Sequence, residues 1–506
     1  MTKSLKLLAF ALGLAGSIAR GATAPEATSG TPVQVHDLLV AALNANLELQ
    51  AKRIDPQIAQ NHVTAALGAF DPAFAIGGFA STTNQPQNQK DFLATGSVSR
   101  LYQEDLIRYE AGFIGKLPFG TNYTLSSSVE RSDNTFNRQT TSLYHPEYTT
   151  KSTLSITQPL LRDFGFSSNL AEVRLSRSAL VLSKHELSAT VVKVIATVMN
   201  AYYEMVFGQE NVKVKQQAVT LAENLVHETQ RRVDEGKMSK LDIIQARVRL
   251  SEAREELLLA HNFLAQRRNT LREVTRDKFD MEDTDWLVDS AYLTHTAPAL
   301  DRNALLARMF ETSPAYLAGL EQARSEDLRI AYAKNQRWPR VDLKASLSDN
   351  GLRNDWSSAY TDIKNRRGPD WSAGLVVNVP ITGRTERAKL SEAKSRKAQA
   401  LMNIKRNEVL LLSAFDTAMR DIHSAQERVA LVQESARLAA SALDAEEKRL
   451  ATGVTTSYNV GVVQKDLSTA RSREQATYVD LNKAVIQLYA LIGTLPEEMQ
   501  TEIKTN

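Results

Sequence analysis

The spacing of apolar residues along this chain switches between two periods, and the switches come twice in the same order. Apolar positions from Val35 to about Ala69 fall at helical spacing and stop at Asp71-Pro72. From Phe74 to Gln158 the period drops to two. Tyr123, Leu125 and Val129 alternate with Thr124, Ser126 and Ser128, and Leu154 and Ile156 alternate with Thr153, Ser155 and Thr157. Such runs are strands with one apolar face, and the polar stretches at 84–91 and 131–141 separate them. Helical spacing resumes over 169–234, where Val194, Val198, Ala201, Met205, Val212, Val219 and Val226 form one stripe, with no Pro and Gly208 as the single Gly. At ~1.5 Å per residue this segment is a rod of roughly 100 Å, far longer than globular helices. Gly236 ends it, and a return helix is predicted over 240–276.

The second half repeats the order. A helix over 301–337 halts at Trp338-Pro339, and strands lie within 341–379. A long helix follows over 384–450 with Phe415, Met419, Ile422, Val429, Val432, Ala436 and Leu443 on one face, and after Gly453 a return helix covers 458–492. The segments also correspond. QPLLRDFGFSSN at 158–169 is answered by VPITGRTERAKL at 379–390, EGKMSKLDII at 235–244 by ATGVTTSYNV at 451–460, and Pro72 by Pro339. Whole supersecondary units are duplicated. The first repeat is 25–276 and the second 301–492, joined by an acidic irregular linker at 277–300 and followed by a polar tail at 493–506.

Composition narrows the class. With 22 Gly and 14 Pro in 506 residues and 24% charged side chains, the chain is built for long helices. Residues 1–24 read as a secretory signal: Lys3 and Lys6, an apolar run from Leu7 to Ala19, then Ala22-Thr23-Ala24, with cleavage after Ala24 or after Ala19. Losing Lys3, Lys6 and Arg20 takes the 61 basic residues to 58, against 58 acidic ones, so charge gives no reason to expect nucleic acid. Without cysteine there is no disulfide, thiolate metal site or catalytic thiol. The eight His lack metal spacing, and HExxH, P-loop and GxSxG motifs are absent, so neither a cofactor nor an enzyme is indicated.

After the signal no apolar run is long enough for a membrane helix. Alternating strands of about 9–11 residues cross an outer membrane only within a closed barrel. Two repeats supply too few strands to close one from a single chain, so several protomers are expected to share it. The rival reading is a periplasmic coiled-coil scaffold or adaptor with no pore.

In its duplicated halves, its strand-to-helix junctions QPLLRDFG and VPITG, and its helix-turn-helix segments RRVDEGKMSKLDIIQARVRL and KRLATGVTTSYNVGVVQKDL, the chain resembles the TolC-like outer-membrane efflux proteins. The resemblance implies an α+β membrane protein and a homotrimer. Its outer-membrane β-barrel takes four strands from each protomer and continues into a long periplasmic α-helical barrel. It also implies a passive exit duct in outer-membrane lipid, reaching through the periplasm to an adaptor protein and an inner-membrane pump of RND or ABC type. Drug, metal ion, siderophore and polypeptide cargo are equally compatible.

The resemblance places the barrel-to-helix junctions at Pro159, Gly165, Pro380 and Gly383, and the periplasmic entrance at Gly236, Asp242, Gly453, Asn459 and Val462. The family commonly has acids just past both glycine turns. Here Asp242 fits the first turn, while Asn459 stands at the matching place in the second and Val462 about one turn later, so a doubled acidic ring is not supported. A second departure is the longer first strand region, whose runs at 109–117 and 121–129 read as an additional extracellular hairpin or as extra wall strands, the hairpin being preferred. Phe79, Tyr102, Phe113, Phe119, Tyr123, Trp356, Tyr360 and Trp371 are candidates for interfacial girdles. Asp242 is either a gating contact or an early-helix acid facing the helix dipole. Neutralising it raises single-channel conductance in planar bilayers in the first case and leaves it unchanged in the second.

Overall fold

The structure, a computed structural model, describes residues 31–94, 100–138, 142–275, 286–289, 293, 298, 300–365 and 368–499. The expected signal, most of the acidic linker and the end of the tail lie outside them. The chain opens with β1 (Thr31–Val33), α1 (Val35–Ala45) and α2 (Leu47–Leu67). Next come β2 (Ala73–Pro86), α3 (Gln89–Ala94), β3 (Leu101–Lys116), β4 (Asn122–Asn134) and β5 (Glu147–Pro159). The short α4 (Gly165–Asn169) leads into α5 (Ala171–Asp234), which turns into α6 (Lys240–Thr275) and β6 (Trp286–Val288). The second half holds α7 (Arg302–Thr312), α8 (Pro314–Gln336), β7 (Arg340–Arg353), α9 (Trp356–Lys364), β8 (Pro369–Asn378), α10 (Arg384–Ala451) and α11 (Ser457–Ile492).

Two expected helices are each broken in two. The helix read over 35–69 stops at Asn46, whose extended backbone (ψ 118°) lets its side chain accept the Leu49 N–H and cap α2. The helix read over 301–337 breaks at Ser313, because the proline ring of Pro314 bars the preceding residue from the helical region; Ser313 sits at ψ 114° and Pro314 opens α8. Periodicity alone does not register either break, since the apolar stripe runs across both.

The long helices α5 (64 residues) and α10 (68 residues) extend about 96 and 102 Å at 1.5 Å per residue. Next to the sheet the helices lie side by side in the order α2, α5, α8, α10; farther away the order becomes α6, α5, α11, α10. Three apolar clusters hold these layers together. The largest sits midway, where Met199, Tyr202 and Met205 of α5 meet Leu38 and Leu49 of α1 and α2, Leu271 of α6 and Ile486 of α11. The parallel pair β1–β6 lies beside this cluster, with Trp286 and Val288 packed into it. Met309, Phe415, Ile422, Leu481 and Leu488 join α7, α10 and α11, and Leu225, Leu443, Leu450, Val460 and Leu467 close the far end.

Six strands form one antiparallel sheet in the order β2-β3-β4-β5-β7-β8. This corrects the expectation of four strands per protomer with the 109–129 runs set aside as an extra hairpin. Those runs belong to β3 and β4, which are paired on both sides: β3 with β2 along 101–114 and with β4 along 104–116, and β4 with β5 along 122–132. The turn between β3 and β4 is fixed at its base. Leu117 donates to the Thr121 carbonyl (2.8 Å), Gly165 donates to the Phe119 carbonyl (3.0 Å), and the Phe119 and Phe166 rings meet edge to face. Gly120 sits at φ 108°, and a Cβ there would strike the Asp163 carbonyl. Gly120→Ala is therefore expected to cost about 2 kcal/mol, the scale of a forced left-handed residue, and to lower the melting temperature in a detergent-solution fluorescence melt.

Candidate functional site: a two-faced wall and a double turn

Strand pairing sorts the sheet's side chains onto two faces, because directly paired residues point the same way. One row crosses all six strands: Phe74, Phe113, Leu125, Leu154, Leu347 and Trp371 are successive partners. Ile76, Tyr109, Val129, Ile156, Val341, Leu343, Leu375 and Val377 share that face by the same registers. Many of them are open to the surroundings, Ile76 and Trp371 at 79% and 78%. The opposite face carries Glu104, Arg108, Glu110, Glu130, Lys151, Asp342, Lys344 and Asp370 among serines and threonines. Arg108 bridges to Glu110 at 3.0 Å there, and Arg340 to Asp342 at 2.8 Å.

The apolar band is not level. Phe74 is its innermost member on β2, where it runs outward to Ala80, but Trp371 in the same row is its outermost member on β8, where it runs inward to Val377. Between the sheet's edges the band thus slides about 20 Å along strands that together span about 24 Å, a slope of about 40°. Strands of closed barrels tilt by about that angle. The aromatics considered from sequence do not act as one set. Phe113, Tyr123 and Trp371 lie on the apolar face, Phe79 and Tyr102 on the polar one, Phe119 in the β3–β4 turn, and Trp356 and Tyr360 on α9. Helix α9 covers the outer part of the first face, where Thr150 donates to the Ala359 carbonyl (2.9 Å), Tyr360 meets Ser127 (2.9 Å) and buried Asp362 holds Arg353 (2.8 Å).

The two junctions between sheet and long helix differ. Pro159 ends β5, and the chain then bends through Asp163 (φ 63°) and Gly165 (φ 82°). Asn335 accepts the Asp163 N–H (2.8 Å), and Asn169 donates to the carbonyls of Asp163 (2.7 Å) and Gly165 (2.9 Å). The second junction, Pro380 to Gly383 (φ 51°), has no such clamp among its described hydrogen bonds, and Ile381 is 99% exposed.

At the far end the chain turns twice. Gly236 (φ 76°) and Gly453 (φ 78°) adopt the left-handed conformation that closes α5 and α10, and each next N–H reaches back to the helix, Lys237 to the Arg232 carbonyl and Val454 to that of Arg449. Three residues later comes an N-cap. Ser239 accepts the Leu241 N–H (3.1 Å) while the Asp242 carboxylate accepts the Ser239 N–H (2.9 Å), a reciprocal capping box. In the second turn Thr456 caps Asn459 (3.5 Å), and the Asn459 amide donates to Thr455 (3.1 Å). Asp242 is thus engaged with the start of its own helix, Asn459 with its own turn, and Val462 is half-buried on α11.

Sequence reasoning missed the contacts that join the two turns. Arg232 donates to the Leu450 carbonyl through one nitrogen and to Glu228 through Nε (2.8 Å). Ser457 donates to the Asp242 carbonyl (3.4 Å), and the Arg249 guanidinium lies 5.2 Å from the Tyr458 ring centre. Higher up, Lys465 meets Glu252 (3.7 Å), Lys215 joins Glu256 (2.9 Å) and Ser468 (3.2 Å), and Arg471 reaches Gln217 (2.8 Å). Charged residues at helical spacing are common on solvated faces, so only the neighbouring hairpin marks these as a latch. No helix among the described residues is long and apolar enough to cross a membrane, and no cluster of three or more potential metal-ligating side chains occurs among them.

The model of one protein family, outer membrane efflux protein, matches residues 38–275 and 315–494, which includes every strand of the sheet and both turns. The chain belongs to that family. Its fold is also that of solved outer-membrane channels. OprN is 17% identical with a TM-score of 0.67, covering 91% of this chain and 89% of its own. CmeC of Campylobacter jejuni is 15% identical with a TM-score of 0.65, covering 93% and 88%. MtrE of Neisseria gonorrhoeae, solved in an open state, is 15% identical with a TM-score of 0.61, covering 91% and 88%. No curated protein matches this chain by sequence.

The latch has an expected pH response. The hydrogen bond from Arg232, followed by the charges of Arg231 and Arg232, holds the Glu228 carboxyl below its ordinary 4.5. A carboxylate lowered in this way stabilises the fold fully above 4.5, and that contribution is lost as pH falls through the lowered value. Hydrogen-exchange protection at 228–242 and 446–460 should stay level from pH 7 to 5 and drop below 4.5, and Glu228→Gln should remove the step.

Proposed function

We propose that the protein is a passive exit duct of the cell outer membrane, formed by three copies of the chain. In this reading the three sheets close into one barrel and the long helices continue it as a tube through the periplasm. The observation that carries the reading is the two-faced sheet whose apolar band slopes at the barrel angle. A face bearing Phe74, Ile76, Phe113, Leu347 and Trp371 is stable against lipid, and a face bearing Glu104, Arg108, Glu110, Lys151 and Lys344 is stable only against water. One sheet that separates lipid from water is the wall of a channel. Both edge strands, β2 and β8, would leave backbone groups unpaired in hydrocarbon unless another copy supplied the partner.

The helices support the same assembly. Outermost in their layers, α2 and α6 on one side and α10 on the other expose Ile54, Ile58, Ile244, Val248, Val409, Leu410, Leu431 and Leu438. Side-by-side packing of copies covers these side chains. The linked turns at Gly236 and Gly453 then ring the periplasmic entrance, and dilation requires the contacts of Arg232, Ser457 and Arg249 to part. The energy for transport comes from partners, an inner-membrane pump of RND or ABC type coupled through a periplasmic adaptor. A pore-free periplasmic scaffold is disfavoured because the exposed apolar face of the sheet would have no covering in water.

Two adjacent substitutions test the wall. Leu125→Arg places a cation on the apolar face at a cost of about 2–4 kcal/mol near the bilayer midplane and should abolish recovery of the protein from outer membranes. Ser126→Arg, one residue on and pointing the other way, should leave assembly intact and shift single-channel selectivity toward anions. Equal tolerance of both changes would overturn the assignment of the faces.

A further inference from the structure

We infer that the outer-membrane wall of this protein has eighteen strands, six from each of three copies, with β8 of one copy paired to β2 of the next, and that its outer opening admits polymers a twelve-stranded wall would exclude. This rests on the trimeric-duct reading and adds the size of the opening to it. The first support is that β3 and β4 are continuous parts of the sheet. The row Phe74, Phe113, Leu125, Leu154, Leu347, Trp371 crosses them without a step, and each is hydrogen-bonded to a neighbour on both sides. Were they to stand outside the wall, β2 and β5 would have to abandon their partners and re-pair with each other. Their connecting turn is also tied to the start of the long helix through Gly165, Phe119 and Phe166.

The second support is a match of arcs. Four helices, α2, α5, α8 and α10, stand beneath the sheet in each copy. At an interaxial distance of about 9.5 Å they span about 38 Å of circumference. Six strands about 4.8 Å apart and tilted about 40° also span about 38 Å, whereas four would span about 25 Å. The helix arc and the six-stranded arc therefore meet at the junctions without a shoulder.

The slope and strand spacing fix the bore. Eighteen strands at about 40° close a cylinder about 36 Å across between backbones, and twelve close one about 24 Å across. Removing a side-chain layer of about 5 Å from each wall leaves about 26 Å against about 14 Å. That space is lined by the polar face, where Glu104, Glu110, Glu130, Arg108, Lys151 and Lys344 mix both signs of charge, so it suits hydrated polymers of either charge.

Cryo-electron microscopy of the full-length protein in lipid nanodiscs counts the strands directly. Eighteen strands with β8 on the neighbour's β2 is the expected result. A trimer with a twelve-stranded wall and β3–β4 lying outside it would overturn this inference while leaving the duct reading intact; particles without a pore would overturn the duct reading itself. A second measurement uses neutral polymers added on the extracellular side of the channel in planar bilayers. Polymers of about 20 Å diameter should enter the intact channel and lower its conductance, as expected for a bore of about 26 Å. A variant joining Pro86 directly to Leu143, which removes β3 and β4, should exclude them. Exclusion from the intact channel would count against the wide opening whether or not the variant folds.

Discussion

Backbone hydrogen bonding in the absence of water is the constraint on which this structure turns. In hydrocarbon every N–H and C=O must find a partner within protein, and a flat sheet with two open edges cannot meet that demand. The chain carries a sheet that meets it everywhere except along β2 and β8. Its paired interior, apolar face and sloping band fit the duct proposed above, in which identical copies supply the missing partners. In that duct tilted strands require the apolar band to climb from strand to strand to stay level in the membrane, and across the sheet it climbs by the six residues that separate Trp371 from Val377.

The helical part obeys a different constraint. Rods of 64 and 68 residues cannot bury an apolar face against themselves, so their stability depends on side-by-side contact. Packing is dense where helices are doubled, around Tyr202 and Met205 and around Leu481 and Leu488, and thin toward the two ends. At the sheet end the first junction compensates with polar clamps from Asn335 and Asn169. At the turn end the apolar cluster of Leu225, Leu443, Leu450, Val460 and Leu467 is joined by charged and polar contacts between hairpins, from Arg232 to Lys465. Contacts of this kind lose less on separation than buried apolar ones, because water replaces their partners. In the duct proposed above, an entrance held by such contacts would open there while the middle stays packed.

The difference between the junctions has the same logic. The first is held within one copy, whereas the second leaves Ile381 almost fully exposed and Gly383 with open space around it. A second copy beside α10 would approach that exposed junction. In the wall inferred above, strands and helices would change partners at that level, where the arcs of six strands and four helices are nearly equal in length.

The sequence by itself determined much that depends on near neighbours along the chain: the two periods, the long uninterrupted helices, the glycine turns at 236 and 453, and the apolar faces of the runs at 123–129 and 153–157. Whether Asp242 faces a passage or its own helix start could not be read, because Ser239-Lys240-Leu241-Asp242 fits both and only the backbone at Ser239 selects the cap. The fate of β3 and β4, the row from Phe74 to Trp371, and the latch from Arg232 to Leu450 were decided by tertiary structure alone. Alternation is a local property that any isolated strand can display. Register and neighbour are fixed by hydrogen bonds between residues as far apart in the chain as Thr150 and Gly351, and no periodicity encodes those.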